Sequence, residues 1–130
     1  MVIGQRALDY HKSGYNCAQS VFAACCEYTG MDEKTALALS AGFGGGARSG
    51  ELCGAVTGAI MAEGLVFPFN DGQDTEAKDK IAAIAKQCVA IAREKYGYVR
   101  CADLKGNINC SEIIAFMAKT AEDIMKKEKN

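Results

Sequence analysis

Apolar residues recur at helical spacing along most of the chain, and this pattern predicts an all-α protein. The clearest stretch follows Asp74, a good N-cap residue, and ends at Gly97, a good helix terminator. With one proline and few β-branched runs, strands have little support. We expect one helical domain over residues 1–130, a compact bundle of five or six helices with a glycine-rich loop before a central helix. The predicted helices cover residues 3–12, 16–29, 32–41, 51–66, 74–97 and 110–127, with one further helical turn at 101–104.

Two of these helices begin with the same short pattern. Asn16-Cys17-Ala18-Gln19 and Asn109-Cys110-Ser111-Glu112 each place Asn three residues before Gln or Glu. This spacing predicts a capping box. In it the Asn side chain accepts the N–H of the Gln or Glu, and the Gln or Glu side chain accepts the N–H of the Asn. It also puts a cysteine at the first helical position, where the helix dipole and free N–H groups favour a thiolate.

The seven cysteines fall into two groups by position. Cys25, Cys26 and Cys88 lie within predicted helices, where a thiol is most often a small core residue. The other four lie at predicted helix starts or in a loop, the settings that lower a thiol pKa. Because the chain has no Cys-x-x-Cys, a thioredoxin-type dithiol and a zinc knuckle have no support. The candidate reactive or metal-ligating residues are Cys17, Cys53, Cys101 and Cys110.

A glycine-rich segment, Gly42–Gly50, precedes the fourth predicted helix. Successive N–H groups followed by a helix start are typical of an anion cradle. The segment is not a P-loop, since no Lys follows it, and no strand precedes it as in a dinucleotide fold. The alternatives are a flexible loop, or one that lets the backbone approach Cys53. The predicted cofactor-binding residues are Gly44, Gly45, Gly46 and Arg48.

Composition and charge limit the partners and the cellular location that we expect for the protein. With 15 Lys and Arg against 16 Asp and Glu, nothing indicates a nucleic-acid partner. The apolar stretch 52–67 is short for a membrane span and contains Glu63, so we expect a buried helix and no membrane insertion. The first residues lack a signal-peptide core, which favours the cytoplasm, where thiols stay reduced. The stripe of small residues Gly50, Gly54, Gly58 and Ala62 favours close helix packing and would also permit a homodimer.

Two polar residues are open to more than one interpretation. His11, the only histidine, is expected to be exposed, with metal ligation or assistance to a thiol as the alternative. Glu63, within the apolar stretch, is either a buried acid or a surface residue.

The sequence Cys53-Gly54-Ala55-Val56-Thr57-Gly58 is a Cys-Gly-Ala-x-x-Gly motif with one selected cysteine upstream and two downstream. With its cysteines in this order, the chain resembles a bacterial protein family that is named for its C, GCAxxG, C and C motif. The resemblance covers most of the chain. By position, the family's cysteines correspond to the four selected above. The resemblance implies redox activity and a prosthetic group such as an iron–sulfur cluster. It also implies a redox partner protein or a transporter-associated oxidoreductase as partner.

Three hypotheses follow. In the first, the four selected cysteines bind an iron–sulfur cluster or another thiophilic metal such as zinc, and the protein transfers electrons. In the second, Cys53 is the catalytic nucleophile of a thiol–disulfide oxidoreductase and another cysteine resolves it, because Cys53 lies at a helix start near Arg48. In the third, the thiols only support packing in a structural protein or subunit.

Overall fold

The computed structural model describes residues 2–129, and within them the regular structure is helical apart from one isolated bridge. The predicted all-α bundle is therefore confirmed. Eight α-helices span these residues: α1 Ile3–Lys12, α2 Cys17–Ala24, α3 Cys26–Thr29, α4 Glu33–Ser40, α5 Gly54–Val66, α6 Thr75–Tyr96, α7 Cys101–Leu104 and α8 Cys110–Lys129.

Several helix ends follow from local chemistry, as the sequence indicates. The Asp74 carboxylate accepts a hydrogen bond from the Ala77 N–H at 3.1 Å and so caps α6. At the other end Gly97 adopts a left-handed conformation, with φ of 80°, which residues with a Cβ rarely adopt. Asp32 caps α4 in the same way as Asp74 caps α6, through the Thr35 N–H at 3.0 Å.

The core forms where α2 packs against α5, with α1 and α8 covering the same side. The small-residue stripe of α5 explains how closely these helices approach. A Cβ on Gly58 would lie 2.8 Å from the Ala18 carbonyl oxygen, and one on Gly54 would lie 2.5 Å from the Cys17 Sγ. The stripe therefore packs against α2 of its own chain.

Two predicted helices differ from the structure. The second ends at Cys25, whose ψ of 2° interrupts the α conformation before α3 begins. The fourth begins at Gly54 and not at Glu51, so Cys53 is an N-cap residue, outside the first turn. The cause is long-range, because the segment before α5 pairs with the segment before α7 through a Leu52–Arg100 bridge.

No helix within residues 2–129 combines the length and the apolar character that crossing a membrane requires.

Candidate functional site

One cavity of about 240 Å³ is lined by all four cysteines that sequence position singles out. They come from different parts of the chain: Cys17 begins α2, Cys53 precedes α5, Cys101 begins α7 and Cys110 begins α8. Apolar side chains form much of the remaining wall, and a few polar groups complete it. These further lining residues are His11, Asn16, Gly45, Leu104, Lys105, Ile108 and Ile113.

The start of α2 is a complete capping box that fixes Cys17. The Asn16 Oδ1 accepts the Gln19 N–H at 2.9 Å, and the Gln19 Oε1 accepts the Asn16 N–H at 3.0 Å. The Asn16 amide also donates to the Ala41 carbonyl oxygen at 2.9 Å. The cap thus ties Cys17 to the chain that leads into the glycine-rich segment.

The second Asn-Cys start is simpler. The Asn109 Oδ1 accepts the N–H of Ser111, at 2.8 Å. Cys110 is exposed, whereas Cys17 is half-buried. The two matching sequence patterns therefore produce thiols of different accessibility.

A short antiparallel pairing positions Cys53 and Cys101. The Cys53 N–H donates to the Val99 carbonyl at 2.8 Å, and the Cys101 N–H donates to the Glu51 carbonyl at 2.7 Å. Leu52 and Arg100 form the bridge between them. Because side chains alternate along extended chain, Cys53 and Cys101 share one face of this pairing. That face lines the cavity.

Cys17 and Cys53 form an electrostatically unequal pair. Hydrogen bonding with the Cys53 thiol lowers the pKa of Cys17 to about 6, and the backbone N–H groups of Gly45 and Ala18 add to the effect against the opposing cost of burial. The interaction with Cys17 and burial together raise the pKa of Cys53. At neutral pH Cys17 is therefore a thiolate that accepts a hydrogen bond from the protonated Cys53 thiol.

The glycine-rich segment approaches Cys17 through its backbone. A Cβ on Gly44 would collide with the Asn16 side chain, so only glycine fits against the cap. Gly45 donates its N–H toward Cys17 and lines the cavity. Of the four predicted cofactor-binding residues, Gly45 alone lies on the cavity wall; Gly44 and Gly46 are buried nearby and Arg48 is exposed.

The segment also contains an unusual backbone turn. Ala47 and Arg48 have φ of 58° and 61°, in the left-handed region that disfavours residues with a Cβ. A Cβ on Gly46 would collide with the Glu51 backbone. The turn therefore brings the chain tightly back toward Glu51 before the pairing that holds Cys53.

The three remaining cysteines lie outside the cavity, as sequence position predicts. Cys25 and Cys88 are fully buried, and burial raises the pKa of each thiol. Cys26 is half-buried, and burial together with the charges of Glu33 and Asp32 raises its pKa.

His11 lines the cavity, which the expectation of an exposed residue missed. The only hint in the sequence was its position near the end of α1, and nothing local connects that position to Cys17. Its Nδ1 lies 3.0 Å from the Tyr15 carbonyl oxygen. Since a carbonyl oxygen only accepts, Nδ1 is the donor of this hydrogen bond.

The metal-ligating side chains of the described residues are not grouped around a single point. Within residues 2–129 no three His, Cys, Asp or Glu side chains are placed to hold one metal ion, as a zinc site requires. The ligands of an iron–sulfur cluster bind different iron atoms and need not meet at one point. The donor set at the cavity is four thiols, the ligand type that iron–sulfur clusters use.

One protein-family model matches most of the chain. The family model described as "Putative redox-active protein (C_GCAxxG_C_C)" matches residues 15–124, which include all four cysteines of the cavity. Comparison with curated proteins found no match, and comparison with solved structures found none.

Proposed function

The chain belongs to the C_GCAxxG_C_C family, and from that premise we propose that it is a thiol–disulfide redox protein whose reactive pair is Cys17 and Cys53. The observation that carries this proposal is the contact between the two thiols, with the lowered pKa on Cys17. The sequence favoured Cys53 as nucleophile. The structure favours Cys17, because Cys53 is only 5% exposed and retains its proton.

The chemistry balances with a disulfide as oxidant. The Cys17 thiolate attacks one sulfur of the substrate disulfide, and the other sulfur leaves as a thiolate that takes the Cys53 proton. The Cys53 sulfur then attacks the Cys17 Sγ, closes a Cys17–Cys53 disulfide and releases the second substrate sulfur as a thiolate. The substrate gains two electrons and the pair loses two.

The surroundings of Cys17 support its role as the attacking group. Two backbone N–H groups, from Gly45 and Ala18, stabilise the thiolate. A pKa of about 6 keeps most of Cys17 ionised at neutral pH, close to the range in which a thiolate is both abundant and nucleophilic. The half-buried Cys17 opens onto the cavity, where a small disulfide has access.

A redox titration tests this proposal. We expect the reduced protein, equilibrated in glutathione buffers of graded potential, to show one two-electron transition that links the Cys17 and Cys53 peptides. In Cys53→Ser the same buffers should leave Cys17 as a mixed disulfide with glutathione. Cys26→Ser removes a half-buried thiol outside the cavity and serves as matched control, with an unchanged transition. If the wild-type protein forms no Cys17–Cys53 disulfide in any of these buffers, the proposal is refuted.

A second candidate rests on a separate observation, the convergence of four cysteines from four elements on one cavity. We propose as the alternative that Cys17, Cys53, Cys101 and Cys110 hold an iron–sulfur cluster. Such a cluster supplies one-electron transfer when bound. The protein's own contribution would be the apolar wall of Leu104, Ile108 and Ile113, which limits water near the sulfurs.

Anaerobic purification decides between the candidates. A cluster predicts iron and acid-labile sulfide in equal amounts, with visible absorption that disappears in Cys17→Ser and persists in Cys26→Ser. Protein purified without iron or sulfide, after expression with both in supply, would refute the cluster and leave the dithiol.

A further inference from the structure

The four cavity thiols form a series from buried to exposed. Cys53 is 5% exposed, Cys17 and Cys101 are half-buried, and Cys110 is exposed. In thiol–disulfide exchange the attacking sulfur must contact a sulfur of the disulfide. The accessibility of each cavity thiol therefore decides which disulfides it can react with.

The cavity is too small to admit another protein. At about 240 Å³ it lies below the roughly 300–1,000 Å³ of pockets that take drug-sized ligands. A disulfide on a folded partner therefore has no route to Cys53. Cys110, at the exposed start of α8, is the cavity cysteine that such a partner can reach.

Cys101 lies between the two ends of the series. Besides burial, the charges of Cys17 and Cys110 raise the pKa of Cys101, so it is within electrostatic range of both. The Leu52–Arg100 bridge fixes Cys101 and Cys53 on one face of the same pairing. Around the one cavity, Cys17 is thus in contact with Cys53, and Cys101 is in electrostatic range of both Cys17 and the exposed Cys110.

Resting on the proposed dithiol function, we infer that Cys101 and Cys110 form an outer dithiol that relays oxidising equivalents from a disulfide-bearing partner protein to the inner Cys17–Cys53 pair. Cys110 attacks the partner's disulfide, and Cys101 then attacks Cys110, which forms a Cys101–Cys110 disulfide and releases the partner's two thiols. The Cys17 thiolate attacks Cys101 and frees Cys110 as a thiolate, and Cys101 takes the Cys53 proton when the inner disulfide closes. Cys53 then closes the inner disulfide and frees Cys101. Two electrons pass from the inner pair to the partner.

Two oxidants of different size test the relay in the full-length protein. Hydroxyethyl disulfide is small enough for the cavity, whereas a disulfide carrying polyethylene glycol on both sulfurs is confined to the surface. We expect Cys110→Ser to lower the rate of inner-pair oxidation by the polymer disulfide at least about tenfold relative to the rate with hydroxyethyl disulfide. Cys26→Ser is the matched control, with an unchanged ratio of the two rates.

The outcomes separate the relay from the proposal on which it rests. An unchanged ratio in Cys110→Ser, or a polymer adduct on Cys110 of the wild type that never oxidises the inner pair, would overturn the relay. Failure of hydroxyethyl disulfide to produce a Cys17–Cys53 disulfide in the wild type would overturn the dithiol function itself. Because folding defects slow both reactions alike, the ratio reports the relay and not the amount of folded protein.

Discussion

The cavity and the core surround their thiols differently, and the pKa of one cavity thiol, Cys17, is shifted in the opposite direction from the pKa of the core thiols. Around the cavity, hydrogen bonding with Cys53 and with the N–H groups of Gly45 and Ala18 lowers the pKa of Cys17 to about 6. In the core, Cys25 and Cys88 lie within α-helical packing, where burial raises the pKa of both. Their polar neighbour, the fully buried Glu63, also has a pKa raised by burial, to about 8.

The difference lies in the hydrogen-bond donors and not in depth alone. Cys53 and Cys88 are both buried, yet only the cavity pair has a second thiol in contact and free N–H groups at helix starts. In the core, the neighbour of the Cys88 thiol is instead the buried carboxyl of Glu63, and burial together with this contact raises the pKa of Cys88. A thiol becomes reactive where the backbone leaves donors unsatisfied and stays inert where the helix uses all of them.

The largest expected effect is at Glu63. Its folded pKa of about 8 means that the folded state keeps the proton while the unfolded chain releases it near the ordinary 4.5. At this residue the unfolded state then binds fewer protons, so the Glu63 contribution to stability falls as pH rises from roughly 5 to 8, by up to about 1.4 kcal/mol per pH unit. In urea unfolding across that range, Glu63→Gln should remove this contribution, so that the stability of the variant minus that of the wild type rises with pH.

A matched control is Glu94→Gln, which removes an exposed carboxylate from α6. The Cys17 titration is common to all three proteins, so the difference from wild type isolates Glu63. Parallel stability curves for wild type and Glu63→Gln would show that the core does not hold Glu63 neutral.

A smaller effect is expected where α5 meets the cavity. In Gly54→Ala the new Cβ would lie 2.5 Å from the Cys17 Sγ and 2.9 Å from the Phe43 carbonyl oxygen. We expect a loss of about 1–3 kcal/mol in the free energy of unfolding, as in other overpacked sites. The reactivity of Cys17 should change with it, because the thiol must move.

The control lies in the same helix. Gly64 has no neighbouring atom within 4 Å of an added Cβ, so Gly64→Ala should stabilise by up to about 1 kcal/mol through lower backbone entropy in the unfolded chain. Equal effects of the two substitutions would contradict the close approach of α5 to Cys17.

The smallest effect compares the two Asn-Cys helix starts. Asn16→Ala removes a complete capping box and the bond to Ala41, and should cost about 1–2 kcal/mol in urea unfolding. Asn109→Ala removes the bond from Ser111 and should cost less, about 0.5 kcal/mol. A larger loss at Asn109 would reverse the assignment of the stronger cap to Cys17.

Much of the fold could be predicted from local signals. Asp74 and Gly97 mark the ends of α6 because a cap and a left-handed terminator act within one turn. The interruption at Cys25 carries no such signal, since no glycine or proline lies there. The late start of α5 depends on pairing with residues far along the chain, which a local pattern does not contain.

The candidate site divides in the same way. Helix-end position selected Cys17 and Cys110, and both lie on the cavity. The proposed choice of Cys17 over Cys53, the nucleophile that the sequence predicts, rests on a contact between residues from different elements, which a local pattern does not contain. His11 reaches the cavity from α1 through tertiary packing alone.

The most direct test of the contrast between the two thiol groups is the alkylation rate of each cysteine, measured by peptide mass spectrometry as a function of pH. We expect the folded, reduced protein to show one thiol, Cys17, whose iodoacetamide reaction declines as pH falls through about 6. Cys25 and Cys88 should react only after unfolding. If Cys17 instead titrates near the ordinary thiol value, or Cys53 titrates at lower pH than Cys17, the proposed pair of a Cys17 thiolate and a Cys53 thiol is wrong.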